Sequence, residues 1–153
     1  MKAKKMVIGW REWASLPDMD IPAIKVKVDT GALTSALHAF NIKTSRQGGK
    51  EYVRFSVHPL QKSSALVQTY TAPVIDERTV KSSSGHKEQR ITIRTPIRIG
   101  KQQWEIDITL TNRKSLNYRM LLGRSAMSKL TIDPALSFCH GKISRKELAN
   151  LYR

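Results

Sequence analysis

Lys25-Val26-Lys27-Val28-Asp29-Thr30-Gly31-Ala32 is the stretch whose residue types could do chemistry. Ile24, Val26 and Val28 alternate with Lys25, Lys27 and Asp29, the period of a half-buried strand. Such a strand carries an acid, a β-branched hydroxyl residue and a glycine into a sharp turn. The carboxylate is then presented at the strand's end, and Gly31 lets the backbone approach a neighbour closely. A carboxylate held this way can take a proton from water or return one to a leaving group. Asp and Gly are also ordinary turn residues, so Asp-Thr-Gly alone describes a plain strand-to-loop turn equally well.

Two features far from this turn sharpen the reading. Met120-Leu121-Leu122-Gly123-Arg124 reads as an apolar strand ending in glycine, followed by a short helix over 124–130. Its plain alternative is a core strand and its cap. Between the two motifs lies a basic hairpin, about 76–95, tipped by Gly85. An early Asp-Thr-Gly-Ala, a Gly-tipped hairpin and a late apolar-apolar-Gly-Arg resemble, over roughly residues 20–135, the retropepsins, aspartic proteases of retroviruses. The resemblance implies a mainly β fold: a closed barrel with a flap hairpin and short helices.

A closer likeness lies in Ile8-Gly9-Trp10-Arg11-Glu12-Trp13, Lys27–Ala32, Thr34-Ser35-Ala36-Leu37-His38-Ala39 and Ser83-Ser84-Gly85-His86. These segments are similar to a bacterial retropepsin-like family, the RimB-like proteins, also labelled putative ATP-dependent zinc proteases. The likeness implies removal of oligoglutamate tails that the ligase RimK adds to a small-subunit ribosomal protein. An acidic peptide or protein would be the substrate and a ribosomal protein one partner.

Retropepsin chemistry needs two carboxylates close enough to share one proton. One takes a proton from the water held between them; the other hydrogen-bonds the scissile carbonyl and serves as acid. The chain holds no second Asp-Thr-Gly or Asp-Ser-Gly. A homodimer with a two-fold axis through Asp29 would supply the mate. By resemblance, Thr30 bonds across that axis, Gly31 and Ala32 complete the active-site loop, and Ser84, Gly85 and His86 on the flap touch substrate. Leu122, Gly123 and His38 are expected to support the loop from behind.

Retroviral relatives often carry an acid four residues after the catalytic one, paired with the Arg of the Gly-Arg motif. Leu33 occupies that position here. Arg124 is thereby expected to meet an anionic substrate side chain, which a guanidinium fork suits. The alternative is that Asp133 or Glu105 replaces the missing partner.

The elements that must position these residues are mostly strands. The pattern predicts strands over 6–13, 23–29, 51–57 and 65–74, then over 91–99 with a bend near Pro96, and over 101–110 after a turn at Gly100. Loops are expected at 44–50 and 81–87. Ser144 and Glu147 have capping-box spacing, predicting a C-terminal helix. One domain over 1–153 is expected, with extensions at 1–20 and 136–153.

Bulk composition is consistent with this. The 153 residues are 40% hydrophobic, ordinary for a globular chain. No apolar run approaches the roughly 20 residues of a membrane helix. The N-terminus has no apolar h-region, so no signal peptide and no membrane role are read. One cysteine, Cys139, allows no intrachain disulfide and suits a cytoplasmic setting. The net charge of +15 would concentrate anionic partners. Seven basic residues within 77–103 (Arg78, Lys81, Lys87, Arg90, Arg94, Arg98 and Lys101) read most simply as a solvated face.

Two other functions compete. A nucleic-acid- or ribosome-binding basic β-barrel without catalysis fits the charge, but the aromatic residues do not interleave with the basic ones as a stacking platform would. Nucleic acid is not required by the protease reading. A zinc protease would need clustered ligands; His-Glu-x-x-His is absent, and His38, His58, His86 and His140 are widely spread. Gly48-Gly49-Lys50 lacks the spacing of an ATP-binding loop. No cofactor is expected.

Overall fold

The computed structural model describes residues 4–60, 66–81, 85–112 and 117–152. The strands are β1 (Met6–Ile8), β2 (Arg11–Leu16), β3 (Ile21–Val28), β4 (Ser35–His38), β5 (Phe40–Gln47) and β6 (Lys50–Val57). They continue as β7 (Gln68–Pro73), β8 (Asp76–Lys81), β9 (Lys87–Ile99), β10 (Gln102–Thr111), β11 (Met120–Leu122) and β12 (Leu130–Ile132). Among the described residues one α-helix, α1 (Arg145–Leu151), follows.

The central sheet runs β10-β4-β11-β3-β2-β9, and β9 pairs back onto β10. Six strands therefore close into a barrel, which leaves no free edge in the ring. β8 attaches outside the ring, antiparallel to β9, and forms the expected hairpin. A separate antiparallel sheet has the order β5-β6-β7. The barrel is filled by the inward-facing residues of alternating strands, among them Ile24, Val26, Leu37, Ile93, Ile108, Met120 and Leu122. Ile91 and Ile93 are buried while Arg90 and Arg94 face outward, so β9 is apolar on one face and basic on the other.

Several local expectations need correction. The segment 6–13 is two strands, broken at Gly9 and Trp10: the Gly9 amide turns toward the Glu12 carboxylate at 2.8 Å instead of a ladder partner. The loop at 44–50 is strand nearly throughout. Gly48 and Gly49, at φ +58° and +79°, form a two-residue turn between Gln47 and Lys50. The strand over 91–99 forms as expected, and Pro96 lies within β9, whose pairing with β10 runs unbroken from Ile99 to Ile91. The helix over 124–130 shortens to one 3₁₀ turn, Arg124–Ala126. Leu130–Ile132 is instead drawn into a parallel pairing with Met6–Ile8, which a continuing helix would forfeit.

The C-terminal helix forms where the capping box places it. Ser144 Oγ accepts the Glu147 amide at 3.1 Å, and Glu147 Oε1 accepts the Ser144 hydroxyl at 3.2 Å. Tyr152 fixes the helix to the barrel by donating its hydroxyl to the Ala23 carbonyl. Burial pushes the Tyr152 phenol up to about 12. Among the described residues, no helix is long and apolar enough to cross a membrane.

Candidate active site

Asp29 follows directly on β3, and its position is set by β11. That strand lies between β3, to which it is parallel, and β4, to which it is antiparallel. The Asp29 amide donates to the Leu122 carbonyl at 2.8 Å, extending the β3–β11 ladder by one residue. The chain then turns: Ala32 donates to the Asp29 carbonyl at 3.2 Å, and Gly31 donates to Asp29 Oδ1 at 3.0 Å. A carboxylate oxygen that accepts a backbone N–H two residues on is held in one orientation. A Cβ at Gly31 would stand 3.2 Å from that same oxygen. Glycine there lets the loop fold back over the carboxylate.

The loop is tied down from the other motif. Arg124 and Ser125 donate their amides to the carbonyls of Ala32 and Leu33 at 2.8 and 2.9 Å. Arg124 Nη1 reaches the Thr30 carbonyl at 2.9 Å. Gly123 donates to Ser35 Oγ at 3.0 Å, and Ser35 is fully buried. A Cβ on Gly123 would lie 2.5 Å from the Thr34 carbonyl carbon. So Asp29–Ala32, Leu122, Gly123 and Arg124 converge on one spot although they lie at opposite ends of the sequence. Thr30 and Gly31 are exposed, and Asp29 and Ala32 are half-buried.

Arg124 is exposed, and among the described residues it forms no ion pair. Neither Asp133 nor Glu105 takes the place of the missing acid. Asp133 Oδ1 accepts the Ala135 amide instead. Leu33, at the acid's position, is 62% exposed. His38 is buried on β4, and its amide donates to the Arg119 carbonyl at 2.8 Å, beside β11. Gly85, at φ +86°, and His86 are both exposed on the hairpin. Ser84 lies outside the described residues.

A cleft of about 600 Å³ opens beside the loop, lined by Leu33, Thr34 and Ser125 on one side and by Arg78, Arg90 and Arg94 of the hairpin on the other. The sequence showed these cleft arginines only as a basic run. The signal that could have placed them is the alternation Arg90-Ile91-Thr92-Ile93-Arg94, which puts every second residue on one face.

The remaining candidates for chemistry are engaged elsewhere. Among the described residues, no three His, Cys, Asp or Glu side chains gather as a metal site would require. His58 stacks on Phe40 with ring centres 4.4 Å apart, and His140 Nε2 meets the Val7 carbonyl at 2.9 Å. Among the described residues, the donors are therefore too dispersed to hold a zinc ion within one copy. Desolvation, a hydrogen bond to Glu12 and the Glu12 charge hold the Cys139 thiol above its ordinary pKa, the reverse of an activated nucleophile. Glu12 itself is a buried carboxylate that sequence reasoning passed over. It accepts the amides of Gly9, Cys139 and His140 at 2.8, 2.9 and 3.2 Å, joining the start of β2 to the C-terminal segment.

Comparison with known proteins agrees with this geometry. A crystal structure of a protein of unknown function from Legionella pneumophila superposes with a TM-score of 0.75 at 30% identity, covering 89% of this chain and 98% of that one. A protein named "Probable alpha-L-glutamate ligase" from Desulfotalea psychrophila is 48% identical over 97% of this chain. One of the same name from Shewanella pealeana is 44% identical over 99%. The chain spans about a third of the length of these relatives, 32% and 33%. Residues 7–143 match the family described as RimB-like, retropepsin-like aspartic endopeptidase RimB. With that match over most of its length, the chain belongs to the RimB-like family of retropepsin-like proteins.

Proposed function

We propose that this protein is a homodimeric aspartic endopeptidase in which two Asp29 carboxylates, one from each copy, activate a water molecule. The observation that carries the reading is the seat of Asp29: its amide is fixed to Leu122 and its Oδ1 to the Gly31 amide, while Thr30 and Gly31 remain exposed for a partner. Two such loops meeting at a two-fold axis bring identical acids together. They then share one proton and titrate as a pair. The ionised member removes a proton from the water as it attacks the peptide carbonyl. The protonated member donates to the carbonyl oxygen, and the proton passes finally to the leaving amine. The hairpin of β8 and β9 would close over the substrate through Gly85 and His86.

An acidic substrate, such as an oligoglutamate-tailed ribosomal protein, is supported by charge and by kinship. The chain carries +15, and no acid stands at Leu33 to repel a carboxylate. The relatives named as glutamate ligases hold a segment like this one inside a longer chain. A hydrolase in that setting would meet α-linked glutamate as the ligase's product. Arg124, exposed and without an ion pair among the described residues, has further N–H groups to offer a substrate carboxylate.

The test is hydrolysis of a peptide bearing an α-linked glutamate tail. Asp29→Asn should lower the rate by about 10²- to 10⁴-fold, the range typical of removed acid–base catalysis. A chelator should leave the wild-type rate unchanged, and sedimentation should find a dimer. A strictly monomeric protein that retains full activity, or an Asp29→Asn variant as active as wild type, rules the mechanism out.

A further inference from the structure

We propose that Arg90, with Arg78 beside it, forms a carboxylate-reading subsite that selects an acidic side chain flanking the cleaved bond. The inference rests on the hydrolase reading above and gives its substrate preference a physical seat.

The hairpin pairs β8 and β9 so that Arg78 lies directly opposite Arg90. Directly opposed residues of an antiparallel pair present their side chains on one face, where like charges repel. Both side chains line the cleft of about 600 Å³ whose other wall is Leu33, Thr34 and Ser125, the residues tied to the Asp29 loop. The charge pair therefore faces the place where a substrate would lie.

Among the described residues three arginines line this cleft, and they are not equivalent. Arg94 makes two bonds to the Asp107 carboxylate, at 2.8 and 3.4 Å. Arg78 holds Asp76 at 2.7 Å. Arg90 is the least exposed of the three, with a side chain 34% accessible against 58% for Arg94 and 78% for Arg78. Among the described residues, the carboxylate within ion-pair range of Arg90 is Glu88, 3.8 Å away, and the buried Arg90 Nε has no hydrogen-bond partner. A buried guanidinium N–H without an acceptor is costly to maintain. A carboxylate entering the cleft would supply that acceptor and match the planar fork of the guanidinium.

Arg90 also lines a smaller adjoining pocket of about 80 Å³, together with Thr34, Ser35 and Thr109. That is the space of roughly two or three water molecules, enough for the end of one acidic side chain. The hydroxyls around it can donate to a second carboxylate oxygen.

The test separates binding from turnover. In the full chain carrying Asp29→Asn, binding of fluorescein-labelled tetraglutamate is followed by anisotropy. Adding Arg90→Gln should weaken binding about 10- to 100-fold, the worth of a charge-assisted hydrogen bond. Tetraglutamine should bind both proteins equally weakly, and Arg90→Lys should restore part of the loss. In the active protein, Arg90→Gln should shrink the kcat/KM ratio of glutamate over glutamine peptides by the same factor. If Arg90→Gln does not fold, Arg78→Gln on the exposed strand should weaken tetraglutamate binding at least about threefold. Unchanged tetraglutamate binding in the folded variant overturns the subsite. So does a single-stranded RNA competitor that proves to be the ligand lost on Arg90→Gln while tetraglutamate is unaffected. Binding through Arg90 in a protein that hydrolyses no peptide would remove the hydrolase reading and leave the subsite standing. Cleavage of glutamate and glutamine peptides at equal rates would do the reverse.

Discussion

Arg124 Nη1 donates to the Thr30 carbonyl at 2.9 Å, so the guanidinium that in retroviral relatives faces an acid here holds the loop after Asp29. Arg124→Ala removes that tie. The bond is exposed, so stability should fall by only about 1 kcal/mol. Peptide hydrolysis should fall further, at least about tenfold, because the loop carries the carboxylate. Arg124→Lys sharpens the case. If Arg124 also meets a substrate carboxylate, KM for a glutamate-rich peptide rises with little change in melting temperature. An unchanged KM would confine Arg124 to the loop.

Gly123→Ala should be far more disruptive than its size suggests. The backbone there, at φ −92° and ψ 170°, is open to any residue, so dihedral strain is not the reason. The added methyl would sit 2.5 Å from the Thr34 carbonyl carbon, a backbone atom that cannot swing aside. Overpacking of this kind costs about 1–3 kcal/mol. It would also push Ser35 Oγ off the Gly123 amide. Urea denaturation should show the loss, and activity should fall with it.

Glu12→Ala tests the link between the two termini. It strips three backbone amides of one buried acceptor. The Gly9 amide is buried and would cost roughly 1–3 kcal/mol unsatisfied, while water can reach the amides of exposed Cys139 and His140, so the loss should be about 2 kcal/mol. Hydrogen exchange should quicken at Gly9, Cys139 and His140 before it quickens at the barrel strands.

Much of this was legible in the sequence because short-range pattern and long-range structure agreed. Val26 and Val28, and Ile106 and Ile108, alternate as barrel strands must, and they became β3 and β10. Ser144 and Glu147 specify their helix within four residues. What failed needed partners far away. Leu130–Ile132 follows a helix-like run and becomes a strand only because Met6–Ile8 lies alongside. Glu12 looks like a surface acid until Cys139 and His140 surround it. In the candidate site, Asp29, Gly31 and Gly123 stand out through their motifs. Arg90 does not: its meaning depends on which residue faces it across the hairpin and which loop it overlooks.

Glu77 offers a pH test at the root of the hairpin. A hydrogen bond with Glu51, then desolvation, then the Glu51 charge hold its pKa above the ordinary 4.5. Because the folded value is the higher one, the native state binds the proton more tightly than the unfolded chain does. The resulting stability is present below the unfolded pKa and is lost as pH rises through the raised value. At neutral pH the two carboxylates repel. Glu77→Gln, whose amide can still donate to Glu51, should therefore melt higher than wild type at pH 7. The advantage should shrink as the pH is lowered through the carboxylate range, as thermal melts across that range would record.

The insertion of β11 between β3 and β4 has a consequence for the timing of assembly. Asp29 is made early, but the Leu122 carbonyl that fixes it is made late. At ordinary rates of synthesis several seconds separate the two. Throughout that interval the acid is tethered to an unfinished barrel and lacks both its backbone anchor and the Arg124 clasp. Pairings this remote in the chain form slowly. A nascent copy is thus prevented by its own topology from presenting an aligned carboxylate before Leu122 and Arg124 have emerged to hold it.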